Sequence, residues 1–125
     1  MSTIRLHIPV APVTKPRMTR RDVWKKRPAV VRYHQYKDDL REQNIPPIPA
    51  QFTIIFNVPM PKSWSEKKRK EQFGRPHQQK PDIDNFLKAF LDALCEDDSY
   101  VYDVRAIKKW AIFGSIELLI EDEYN

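Results

Sequence analysis

The sequence predicts an α+β fold: a four-stranded, mostly antiparallel or mixed sheet with helices packed on one side. Three observations point there. Residues 82–95 carry one broad apolar helical face, four other stretches read as strands, and 125 residues suffice for a single hydrophobic core. The order β, α, β, short α, α, β, β places the last two strands around Gly114, which fits sheet and helices in separate layers. Residues 1–125 are expected to form one domain.

Each element has its own signal. Thr3 to Val10 reads as a first strand, closed by Pro9 and Pro12. "TKPRMTRRDVWKKR", Thr14 to Arg27, lacks apolar periodicity and is expected to be a basic loop. Val30 to Glu42 has helical spacing, with Val30, Tyr33, Tyr36 (or Lys37) and Leu40 along one side. "NIPPIPA" is a stiff connector. "QFTIIFNV" alternates Phe52, Ile54, Phe56 and Val58 on one face, a strand pattern. "SWSE", Ser63 to Glu66, has capping-box spacing and should start a short basic helix through Glu71. The loop "GRPHQQKP" leads to the helix Asp82 to Cys95, and Val101 to Phe113 and Ser115 to Glu121 read as strands.

Composition narrows the function classes. Eleven prolines against two glycines argue for stiff connections. Cys95 stands alone, so no internal disulfide forms, and no signal-peptide pattern opens the chain; both fit a reducing cytoplasm. No apolar run is long enough to span a bilayer, so no membrane partner is expected. With one Cys, and with His7 and His34 at no zinc-ligand spacing, a zinc site is not expected. The formal net charge of +5 hides a strong asymmetry. Residues 1–81 hold eighteen Lys and Arg against six Asp and Glu, whereas residues 82–125 hold four against eleven. A basic part that neutralises phosphates, joined to an acidic part that holds a cation, would show this pattern. So would a merely charge-asymmetric surface.

The acid is concentrated in "KPDIDNFLKAFLDALCEDDSYVYD", residues 80–103, which carry seven of the seventeen acidic side chains. At about 100° per residue, Ile83, Phe86, Leu87, Phe90, Leu91 and Leu94 form the core face, with Asp84, Lys88 and Asp92 opposite. A purely structural account is available: Asp82 caps the helix, Asp84 complements its dipole, and Asp84 pairs with Lys88. Asp97 and Asp98, just past the helix, add carboxylates from a second element, and such groups can converge on a hard cation. Lys88 lies where an ammonium could neutralise a phosphate's leaving oxygen. Phosphodiester hydrolysis needs that set.

The run "KPDIDNFLKAFLDAL" followed by "EDDSYV" resembles the signature of RusA-type Holliday-junction resolvases, small endonucleases common in bacteria and prophages. The match is dense from Lys80 to Val101; His77 and "PKSWSEKKR" are similar to phage-borne members. The resemblance implies that Asp82, Asp84 and Asp98 bind Mg2+, with Mn2+ as a substitute, and that Lys88 is catalytic. It also implies a homodimer that binds four-way DNA and makes paired, symmetric nicks in recombination and repair. Where some members carry an arginine run before the first aspartate, this chain reads "QQKP", which passes that role to Lys80, Arg75 or residues near Lys67.

The remaining residues are weighed one by one. Asp97 is an alternative to Asp98 as third ligand, Asp92 is read as a solvated helix residue, and Asp103 as a strand-edge charge. His77 is expected to be an exposed loop histidine. DNA contacts are expected from Lys15, Arg17, Arg20, Arg21, Lys25, Lys26, Arg27, Lys67, Lys68, Arg75 and Lys80, with Trp24 as a stacking residue or a core side chain. Phe52, Ile54, Ile116 and Leu118 are expected to spare apolar surface for a second copy. Two rival readings remain: a branched-DNA-binding protein that does not cut, and a phage protein that docks a protein partner.

Overall fold

The computed structural model describes residues 3–17 and 27–121. Strand β1 (Thr3–Ile8) is followed by α1 (Pro28–Arg41), β2 (Gln51–Pro59), α2 (Glu66–Gln72), α3 (Ile83–Leu94), β3 (Asp103–Ala111) and β4 (Ser115–Glu121). The four strands form one sheet in the order β1-β4-β2-β3. β4 runs antiparallel to both β1 and β2, and β3 runs parallel to β2, so the sheet is mixed. A parallel pair needs a long crossover, and α2 and α3 supply it between β2 and β3.

Period-two alternation decides which face the helices cover. Phe52, Ile54, Phe56, Ile116 and Leu118 turn to the helix side, and Ile54, Phe56, Ile116 and Leu118 are fully buried there. They meet Tyr33, Tyr36 and Leu40 of α1 and Phe86, Ala89, Phe90, Leu91 and Ala93 of α3. Phe56 stacks on Phe86 with ring centroids 5.4 Å apart. One chain therefore consumes Phe52, Ile54, Ile116 and Leu118, and none of the four is left for a second copy. The exposed large apolar side chains lie elsewhere: Ile4, Val31, Phe73, Tyr100, Tyr102, Ile112 and Phe113.

Local chemistry sets the element ends. Pro28 opens α1, where its missing N–H costs nothing. Helix α2 is capped by Ser65, whose Oγ accepts from the Lys68 backbone N–H at 3.2 Å. The cap is not Ser63, because a Pro61–Trp64 turn occupies that stretch first. Arg41 donates to the Ala93 carbonyl at 3.2 Å and so ties α1 to the negative end of α3. Gly114 must lack a side chain: a Cβ there would lie 2.4 Å from the Ala11 Cβ.

Phe90 is fully buried where α3 meets the rest of the core. Phe90→Ala is expected to cost about 3–5 kcal/mol through lost burial and a residual cavity. Urea unfolding of both proteins measures this. A change under about 1 kcal/mol would mean that the core is not packed around this ring.

Candidate active site

Asp82 stands at the N-cap of α3, and its carbonyl accepts from the Asn85 and Phe86 N–H groups. Its side chain makes no capping bond, however. The carboxylate is met instead by Lys80, at 3.2 Å across the surface. Asp84 follows in the first turn, and the apolar face of α3 turns it outward. Among the described residues neither Asp84 nor Lys88 has a hydrogen-bond or ion-pair partner, so the i, i+4 pair is not made. The structural explanation of these two acids thus loses both of its contacts.

Asp92 differs. It accepts from Lys15 at 2.7 Å in a half-buried pair, so it is not merely solvated. That hydrogen bond holds the Lys15 ammonium above its ordinary pKa. Lys15 thus ties the chain after β1 to α3.

The approach to Asp82 is built by strand pairing. Gly74 and His77 donate backbone bonds to Trp110 and Lys108, and Trp110 donates to Arg75. These bonds lay residues 74–77 along the outer edge of β3. His77 is buried, only 4% exposed, with its ring 4.4 Å from that of Trp110. It is not the exposed loop histidine that loop composition suggested, because the edge pairing folds it inward. Trp64 packs on the same Trp110 at 4.7 Å, and Lys68 lies over Trp64 at 4.3 Å.

Residues 78–81 then cross to α3, held by Lys108. Its Nζ donates to the Gln79 carbonyl at 2.9 Å and to the Pro81 carbonyl at 2.8 Å. A shallow cleft results, lined by Gln78, Gln79, Lys80, Asp82, Ile83, Asp84 and Lys108. Lys108 escaped the sequence reading. Its signal was present: in Val101 to Phe113 it falls in the same alternation as Val104, Ala106 and Trp110, a charge where the pattern calls for an apolar residue.

Asp98 is not in this cleft. It lies beyond the C-terminal end of α3, and twelve helical residues separate the two ends, about 18 Å. The neighbouring Asp97 spends its carboxylate on the Ser99 N–H at 2.9 Å, which lowers its pKa. Asp98 makes no side-chain hydrogen bond or ion pair among the described residues, and exposed Tyr100 and Tyr102 lie close by in the chain. Among the described residues no three Asp, Glu, His or Cys side chains stand close enough to hold a metal ion. Asp82 and Asp84 remain as two hard oxygen donors beside open space, a set that suits Mg2+, which is commonly held by one or two carboxylates plus water and substrate phosphates.

The basic residues are dispersed. Arg17 is exposed, and Arg27 donates to the Arg17 carbonyl at 2.9 Å. Lys67, Lys68 and Arg75 are exposed on or just after α2, and Lys80 pairs with Asp82. Arg20, Arg21, Trp24, Lys25 and Lys26 lie outside the described residues.

Burial, and secondarily Lys108, pushes the His77 pKa below its ordinary 6.5. The unfolded chain therefore binds the extra proton first as pH falls. His77's contribution to stability is intact above pH 6.5 and declines from there down to its lowered value. His77→Gln is expected to flatten that part of the profile. Thermal melts at pH 7.5 and 5.5 check this, and an unchanged difference between them would assign the acid loss to other groups.

A family model described as "Endodeoxyribonuclease RusA" matches residues 9–121. The chain is also similar to "Uncharacterized protein YqaN" of Bacillus subtilis (strain 168), 34% identical over 83 residues. That stretch covers 59% of this chain and 58% of the relative, so the chain spans less than two thirds of that protein's length. No helix among the described residues is long and apolar enough to cross a membrane.

Proposed function

This chain belongs to the RusA endodeoxyribonuclease family, and on that premise we propose that it resolves four-way (Holliday) junctions by hydrolysing phosphodiester bonds with Mg2+. The carrying observation is that Asp82 and Asp84 project into one cleft with neither a helix cap nor an i, i+4 pair to account for them. Asp82 and Asp84, joined by Asp98, would hold the ion, which when bound supplies the Lewis acidity that phosphodiester hydrolysis needs. Mn2+ would substitute. Lys88, one turn beyond Asp84 and unpaired among the described residues, neutralises charge developing on the leaving oxygen. Lys67, Lys68, Arg75 and Lys80 contact the flanking phosphates, together with Arg17, Arg27 and the basic segment that holds Arg20, Arg21, Lys25 and Lys26.

The working unit in this proposal is a homodimer, since a four-way junction needs two cuts of like polarity and has near two-fold symmetry of its own. Asp98 gives a further reason. A two-fold pairing that ran two α3 helices in opposite directions would set each Asp98 near the other copy's cleft. Tyr100 and Tyr102, 48% and 73% exposed, are apolar surface available for such a contact. Incubation with end-labelled four-way junctions, with and without Mg2+, tests the activity. Paired symmetric nicks only with the metal are expected. Tight binding without cutting would favour the non-catalytic DNA-binding reading, and absence of binding the protein-docking one. Such a nuclease would work on DNA in the cytoplasm of a bacterial host.

A further inference from the structure

Lys108 is a charge set in an apolar row. Residues 104, 106, 108 and 110 of β3 pair with Phe52, Ile54, Phe56 and Val58 of β2, the row that faces the helices. The other three β3 residues in that row are Val104, Ala106 and Trp110. Lys108 is half-buried there, and its ammonium must make hydrogen bonds to offset the hydration it gives up. Two of its three N–H donors are spent on the Gln79 and Pro81 carbonyls. The third has no partner among the described residues, and Lys108 makes no ion pair with Asp82 or Asp84, although all three line one cleft.

We propose that Lys108 is a phosphate-contacting residue of the cleft, its third N–H taking a non-bridging oxygen of the DNA phosphate that enters between Asp82 and β3. Its role differs from that of Lys88. Lys88 extends from an exposed helix face and must be ordered when substrate arrives. Lys108 is already held at two points, so its charge is oriented before binding, and donors of that kind stabilise developing charge most effectively. The same two bonds explain why the Gln78–Pro81 segment passes close to β3. One ammonium thus shapes the cleft wall and furnishes its fixed positive charge.

This inference rests on the nuclease reading, and the test separates the two. Lys108→Met keeps the aliphatic stem and removes the charge; Lys108→Arg keeps the charge. Junction affinity is measured against salt without metal, and single-turnover cleavage with Mg2+. For Lys108→Met the slope of log affinity against log salt should fall by about 0.9, the share of one duplex phosphate contact. Its cleavage rate should fall about a hundredfold. Lys108→Arg should retain the slope. Should the Met variant melt below the assay temperature, Lys108→Gln, whose amide still donates to a carbonyl, carries the same comparison. A native slope in the charge-removing variant overturns the proposal. So does an equal loss of rate in the Met and Arg variants with the slope intact, which would leave Lys108 only a clamp on the loop. If the native chain binds junctions but does not cut them, the nuclease reading fails, while the slope still decides for or against the contact.

Discussion

Asp84→Asn is expected to lower the rate of four-way junction cleavage about a thousandfold or more. A carboxylate that holds a catalytic cation helps to supply several kcal/mol of transition-state stabilisation, and each 1.4 kcal/mol is about tenfold in rate. Asparagine keeps the shape, and the helix should not suffer, because Asp84 makes no hydrogen bond or ion pair among the described residues. Junction affinity should hold or tighten, since a negative charge beside phosphate is lost. Asp82→Asn should behave alike, for the Asp82 side chain provides no cap. Lys88→Ala should lose about a hundredfold in rate with little change in affinity, the signature of a group used only in the transition state. Single-turnover kinetics with gel-shift titration separates the two quantities. Native cleavage rates in each of the Asn variants would remove the cleft from the chemistry altogether.

A mixed dimer of Asp84→Asn and Asp98→Asn chains is expected to recover nicking that neither variant shows alone. Within one chain α3 keeps Asp98 at the far end from Asp82 and Asp84. If two copies pair so that each Asp98 serves the other's cleft, both lesions fall in one site and the second site is intact. Such a dimer should nick one strand and stall before full resolution, as should a mixture of native and Asp84→Asn chains. Co-expression with two affinity tags isolates the mixed species, and sedimentation confirms its size. Mixed dimers as inactive as either parent would put the three aspartates within one chain, whereas native nicking by Asp98→Asn alone would drop Asp98 from the ligand set. A monomer that still makes paired, symmetric nicks would end the dimer proposal itself.

Much of this molecule was legible in the sequence, and the reason is periodicity. The apolar face of α3, the α1 stripe Val30, Tyr33, Tyr36 and Leu40, and the alternation through β2 each depend on a residue's place in its own segment. That is local information, so the element order and the outward turn of Asp84 and Lys88 could be read directly, while the choice between a mostly antiparallel and a mixed sheet stayed open until strand pairing settled it. Local reading failed where a residue's partner lies far along the chain. His77 is buried because residues 74–77 pair with β3, some thirty positions later. Asp92 is engaged because Lys15 reaches it across 77 positions. Phe52, Ile54, Ile116 and Leu118 had no surface to spare, because α1 and α3 cover the same face of the sheet. Asp82, Asp84 and Asp98 are sixteen residues apart at most, yet the rigid rise of a helix holds Asp98 from the other two. Lys108 joins the cleft only through the strand that the crossover brings beside β2. Within the helices and strands, sequence determined which side chains face outward and which inward. Tertiary structure alone decided which outward-facing charges share one space, because that depends on long-range strand pairing and helix length rather than on any residue's neighbours in the chain.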